Sequence, residues 1–347
     1  MMRFEDKVKW LSGLLAVLLL TWGLGEFFSP ERVASRAETA SLLVAKPAEA
    51  ADIVITGAPA KGVAPAIHLV RNDGTWQLMD GINALPIRSG RVEALLSSLA
   101  KAGRRRPVAQ AKEAWQSLGL DEAQATTLKI SDAKGRVLLD LVSGNRGPTG
   151  SDIYVRLAGS DASYLVNADI SSWLVADRGS WLDLRIWKKD LASDAVQAVS
   201  VNATIDLSAP SPAGGAARGG SALPKPKALA RPIAWKFERM ADGWKGEQPP
   251  PDPVAVESML RAALNLEGVD IAAQAPAGAF DKIGATITLT LGSGQNRVIE
   301  VGAPAGDGRW WVRASEGGQT LPLAYQLSSW ALGSIVKDGA SFVKKTQ

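Results

Sequence analysis

The sequence predicts an α+β protein in which an N-terminal transmembrane helix precedes two tandem homologous modules, each a mainly antiparallel sheet with two to three short helices. Three observations predict it. A long apolar run lies near the N-terminus. Ser-Ser-Trp occurs twice, in ISSWLVAD at 170–177 and LSSWALGS at 327–334, and YVR at 154–156 falls on WVR at 311–313 at the same offset of 157 positions. Between these marks the hydrophobic pattern alternates between strand and helix periods.

Taken from the N-terminus, residues 1–9 read as a cytoplasmic tail and residues 10–28, WLSGLLAVLLLTWGLGEFF, as the anchor, with Glu26 its only charge. At about 1.5 Å per residue this run spans roughly 28 Å, close to the hydrocarbon thickness of a bilayer. Trp10, Trp22, Phe27 and Phe28 lie toward its ends, where aromatic rings suit the interface. Arg3, Lys7 and Lys9 precede it, which directs the bulk of the chain to the periplasmic side of the inner membrane. A cleaved signal peptide is the competing reading, because Gly23-Leu24-Gly25 offers small residues at cleavage spacing. Residues 29–50, rich in alanine and charge, form a stalk.

Each module, 51–190 and 191–340, then follows one plan. ADIVIT at 51–56 and AVSVNAT at 198–204 open as strands, and the strands of His68 and Lys236 turn toward Trp76 and Trp244. A helix comes next: Val92, Leu95, Leu96 and Leu99 form a stripe, matched by Val256, Met259, Leu260 and Ala263. Asp252-Pro253 supplies an N-cap and a first-turn proline. A second short helix carries Trp115 or Phe280, and TLKISDAKGRVLLDLVSG folds into a hairpin about Lys134-Gly135. IYVRL and SYLVN extend the sheet. The Ser-Ser-Trp helix closes the module, with Ile170, Trp173 and Leu174, or Leu327, Trp330 and Ala331, anchored in the core and the serines solvated. The Pro/Gly/Ala stretch 208–232 reads as a flexible loop inserted between the first two strands of the second module.

Composition narrows the chemistry. A 46% hydrophobic and 21% charged chain of 347 residues is globular and long enough for two domains. Absent cysteine excludes disulfides and thiolate chemistry, and the single histidine, His68, excludes a multi-histidine metal site. The net charge of +4 weakly favours an anionic neighbour, whether membrane surface, cell wall or nucleic acid, and is too small to choose among them; no nucleic-acid partner is expected. Ser98 and Lys101 have the spacing of a lysine-activated serine, but they lie on a helix face without the companion motifs. GNRGPTG and GAPAGDG lead into strands rather than helices, so neither reads as a phosphate cradle. Arg104, Arg105 and Arg106 form a solvated basic cluster. The candidate binding surface is Tyr154 with Arg156 and Trp311 with Arg313, which strand alternation places in pairs on one face, either to stack on a planar or anionic ligand or simply to cover ring with arginine stem.

The segments NDGTW, WQSLGL, IYVRL and SYLVNADISSW resemble domain-of-unknown-function family 4340, over 51–187 and again over 193–338. The resemblance implies a single N-terminal anchor and association with ABC-type transport systems resembling those of gliding motility; it assigns no catalytic residues. The expectation is therefore a non-catalytic accessory subunit of a membrane complex, with no cofactor and with transporter subunits as partners. A module binding an envelope glycan or peptide is the alternative, and an uncharacterised hydrolase the second.

Overall fold

The computed structural model describes Leu15 and residues 40–343, apart from 44, 60–63, 105–106, 168–169, 208–226 and 247–249. The tail, the anchor apart from Leu15, and most of the stalk lie outside the described residues, and among those described no helix is long and apolar enough to cross a membrane. The chain forms two compact units, residues 1–77 with 89–177, and residues 78–88 with 178–347. Both consist mostly of antiparallel strands with few helices, which fits the α+β class.

The first unit holds strands β1 (Ala50–Thr56), β2 (Ala66–Asn72), the start of β3 (Thr75–Asp80, of which residues 78–80 fall in the second unit), β4 (Pro107–Ala109), β5 (Thr126–Asp132), β6 (Val137–Arg146), β7 (Asp152–Leu157) and β8 (Ser163–Asn167). Their order in the sheet is β3-β2-β1-β5-β6-β7-β8-β4. Alternation sends Ile53, Ile55, Leu69, Leu128, Ile130 and Leu141 to one face, where all are fully buried. Helix α1 (Arg91–Lys101) buries its stripe of Val92, Leu95, Leu96 and Leu99, each as its spacing predicts. The β5–β6 hairpin closes where Asp132 Oδ1 accepts from the amides of Lys134 and Arg136, both at 2.9 Å, and Gly135 takes a φ of 77°. Helix α2 (Trp115–Leu118) stops at Gly119, whose φ of 69° admits glycine cheaply.

The second unit holds β9 (Val196–Ile205), β10 (Ala228–Met240), β11 (Gly243–Lys245), β12 (Asp270–Ala272), β13 (Ala285–Leu291), β14 (Asn296–Gly306), β15 (Arg309–Glu316) and β16 (Ala324–Ser328). Their order is β11-β10-β9-β13-β14-β15-β16-β12, the same succession as in the first unit. Helices α3 (Arg178–Trp181), α4 (Pro253–Leu264) and α5 (Ser329–Ile335) accompany it. Asp252 caps α4 by accepting from the Val254 amide at 3.1 Å, and Val256, Met259, Leu260 and Ala263 are buried. Residues 78–88 belong here because Arg178 pairs with both Asp80 at 3.2 Å and Asp270 at 3.1 Å. The backbone adds bonds from Arg88 N–H to the Trp181 carbonyl at 2.9 Å and from Asp183 N–H to that of Pro86 at 3.0 Å.

Several local expectations are corrected. Residues 170–174 form a turn rather than a helix, with Trp173 and Leu174 N–H groups donating to the Ile170 carbonyl. In the second unit the closing helix exists, but Trp330 is 85% exposed and anchors nothing. Leu332 and Ile335 take the inward face, and Trp330, two residues before Leu332, lies about 200° round the helix from it. The serines are engaged instead of solvated: Ser328 caps the helix by accepting from Ala331 N–H at 3.2 Å, and Ser329 Oγ donates to the Gly308 carbonyl at 2.8 Å while accepting from Trp310 Nε1 at 3.1 Å. Phe280 sits in a turn, not a helix. Residues 228–232, read as the end of the inserted loop, begin β10; residues 208–226 of that loop lie outside the described residues.

Tyr325 in β16 is 1% exposed, and burial, reinforced by the negative charge of Asp183, pushes its phenol up to about 12. Because the folded value exceeds the unfolded value of about 10, this group's contribution to stability is complete below pH 10 and lost as pH rises toward 12. Phenolate absorbance during alkaline titration is expected to show a late step that Tyr325→Phe removes; retention of the step in that variant refutes the assignment.

Candidate functional site

Arg156 projects from β7 beside the turn that follows α2. Its guanidinium carbon lies 3.8 Å from the centroid of the Trp115 ring, and its Nε donates to the Leu120 carbonyl at 3.4 Å. Trp115 is held by its own Nε1, which donates to the Asp161 carbonyl at 3.2 Å. A ring that close to a partly desolvated guanidinium attracts it through the negative face of the π system. Burial lowers Arg156 below its ordinary value, opposed by the more distant charges of Asp140, Asp161 and Glu122, and the group remains cationic. Among the described residues no carboxylate comes within ion-pair distance of it. Across the strand pair its neighbour is Val142.

The second unit builds the corresponding arrangement and finishes it differently. Arg313 of β15 lies 5.0 Å from the centroid of Phe280. Its cross-strand neighbour is Glu300, whose Oε2 accepts from Arg313 Nε at 2.5 Å. Here the cation is neutralised from within the sheet.

The strand aromatics behave otherwise than their arginines. Tyr154 is half-buried against Leu120, Ala125 and Val142, together with Trp115 and Leu118. Trp311 is only 7% exposed and packs with Ala279, Ala324 and Phe280. Alternation does set Tyr154 beside Arg156 and Trp311 beside Arg313, but the rings under the guanidinium groups come from Trp115 and Phe280. The sequence carried a trace of this: both aromatics stand at the matched position ahead of the Leu-Gly or Ile-Gly pair.

A cavity of about 200 Å³ opens at Arg156. Leu120, Ala125, Val142 and Arg156 line it, together with Asp121 and Glu122. Asp121 is already committed: its Oδ1 accepts from the amides of Ala123 and Gln124 at 3.1 and 3.0 Å, and its Oδ2 from Gln124 Nε2 at 2.9 Å. The wall thus joins apolar side chains to one cation that makes no ion pair among the described residues and to the carboxylates of Asp121, held by its own turn, and of Glu122. A larger open groove, about 530 Å³, lies in the second unit over Trp235 and Phe237, whose rings stack at 4.4 Å. Trp235 Nε1 donates to the Lys337 carbonyl at 2.7 Å, so that ring's polar edge is satisfied internally.

The remaining sequence candidates form no site. His68 Nε2 lies 2.7 Å from Asp52 Oδ2 on an exposed strand surface. Ser98 and Lys101 sit on α1, outside its buried stripe. Arg104 rests 5.7 Å from the Tyr164 ring centroid, while Arg105 and Arg106 lie outside the described residues. Among the described residues no group of three or more metal-ligating side chains gathers.

Fold and site together define a class: a protein of antiparallel sheets in the same strand order, each setting an arginine over an aromatic ring, one of them opening on a cavity. The chain belongs to the family described as Domain of unknown function (DUF4340), whose model matches residues 76–249, half of the sequence. No curated protein and no solved structure matches it.

Proposed function

We propose that this protein is a non-catalytic, extracytoplasmic accessory subunit of a membrane complex of the ABC transport type, tethered by residues 10–28 and built from two copies of one ancestral module. The observation that carries the reading is the strand order, which runs through eight matched segments in each unit. A duplicated scaffold whose copies keep the framework and diverge at equivalent arginines suits a protein that presents surfaces more than one that performs a reaction. The apolar run 10–28, preceded by Arg3, Lys7 and Lys9, supports an export orientation. Affinity capture of the full chain from detergent-solubilised membranes, followed by quantitative mass spectrometry, is expected to enrich transporter subunits over an unrelated single-pass bait. Repeated recovery of the bait alone sinks the proposal.

A second reading, an envelope-ligand binding module, is favoured by the cavity beside Arg156.

A further inference from the structure

We propose that the cavity at Arg156 is a binding site for a free carboxylate on a short aliphatic group, and that the second unit has closed its equivalent site with a carboxylate of its own. The inference stands on the geometry of the first unit and does not require the transport reading.

The two arginines are counterparts in strand position and in stacking on an aromatic ring. They differ in what faces them. Opposite Arg313 stands Glu300, a carboxylate on two methylenes, bonded at 2.5 Å. Opposite Arg156 stands Val142, which has no charge to offer. Leu120, Ala125 and Val142, each no more than 5% exposed, supply an apolar wall beside the cavity. Arg156 makes no ion pair among the described residues, although the charges of Asp140, Asp161 and Glu122 act on it from farther off, so a ligand carboxylate would meet its guanidinium directly where none of those does. What Glu300 supplies in the second unit, an outside carboxylate with an aliphatic stem supplies in the first. The guanidinium fork can donate to two oxygens in its plane, and the Trp115 ring packs against it at 3.8 Å.

Two sources present this chemistry, a small free aliphatic acid and the C-terminus of a chain ending in an aliphatic residue. The exposed carboxylate of Glu122 bears on the sign of the ligand's charge. It opposes an anion and would attract an ammonium group.

The test is calorimetric titration of the full chain in non-ionic detergent with four probes: hexanoate, hexanamide, a short peptide ending in valine with a free carboxylate, and the same peptide amidated. Saturable binding of hexanoate or the free-acid peptide in the millimolar range or tighter is expected, as suits ligands of few heavy atoms. The amides are expected to bind at least about tenfold more weakly. Which acid binds more tightly identifies the source. Arg156→Gln is expected to weaken binding about tenfold or more. Val142→Glu, which copies the second unit by placing a carboxylate opposite Arg156, is expected to abolish it, and Arg313→Gln to leave it unchanged. Thermal melts establish which variants fold. Glu122→Gln is expected to tighten binding. The proposal is overturned if neither acid binds the unaltered protein, if the amides bind as well as the acids, if folded Arg156→Gln or Val142→Glu binds undiminished, or if Glu122→Gln abolishes binding.

Discussion

Glu316→Gln is expected to destabilise the second unit by about 3 kcal/mol, because it strips the counter-charge from a buried arginine. Arg297 on β14 has no exposed side-chain surface, and its Nε bonds Glu316 Oε1 at 2.8 Å. Its remaining contacts are an NH2 bond to the Lys189 carbonyl at 2.9 Å and the Trp187 ring, whose centroid is 4.8 Å from the guanidinium carbon. Its NH1 has no hydrogen-bond partner among the described residues. Glutamine preserves shape and one acceptor, so the variant isolates the charge. Glu316 is itself 38% exposed, which holds the expected cost at the lower end of the range for broken buried pairs. The paired replacement Arg297→Met/Glu316→Leu is expected to cost less than Glu316→Gln alone, since it leaves no buried charge behind. Urea unfolding monitored by tryptophan fluorescence measures both. Equal stability of Glu316→Gln and the unaltered protein rejects the account.

Gly302→Ala is expected to cost about 3 kcal/mol, and Gly144→Ala a similar amount, through overpacking against backbone. A methyl at residue 302 would stand 2.1 Å from the Ala279 carbonyl oxygen and 2.7 Å from the Phe280 ring. One at residue 144 would stand 2.3 Å from the Leu118 carbonyl oxygen and 2.8 Å from Gly119. In each unit this glycine lies two residues beyond the neighbour of the stacked arginine, at the point where the connecting segment crosses the sheet. The segment is fixed there by a hydrogen bond such as that from Ala303 N–H to the Ala279 carbonyl, 2.8 Å, so it has little room to retreat. Neither glycine has a positive φ; the requirement is space. Gly294→Ala, with nothing within 4 Å but a φ of 81°, separates the effects, because its penalty comes from conformation alone and is expected near 1 kcal/mol. Chemical denaturation of the three variants ranks them, and an order with Gly294→Ala most damaged contradicts the close-approach explanation.

Much of the framework was legible because it depends on local periodicity. The stripes of Val92, Leu95, Leu96 and Leu99, and of Val256, Met259, Leu260 and Ala263, are buried as spaced. The Asp252 cap and the turn at Gly135 follow from residue chemistry within four positions. Trp330 was misread because seven helical residues offer only one inward face, and Leu332 and Ile335 occupy it. Ser329 was misread because its partner, Gly308, is distant in sequence.

The site shows the same division. By itself the sequence determined the alternating strands, the two amphipathic helices, and the facing of Arg156 and Arg313 beside their aromatic neighbours, since the side-chain period of a strand is two whatever surrounds it. Only the tertiary structure decided that Arg313 has an ion pair within its own sheet and that Arg156, among the described residues, has none. That outcome turns on whether strand register brings Glu300 or Val142 opposite the guanidinium, and on how far water is excluded around it, neither of which a short stretch of chain specifies.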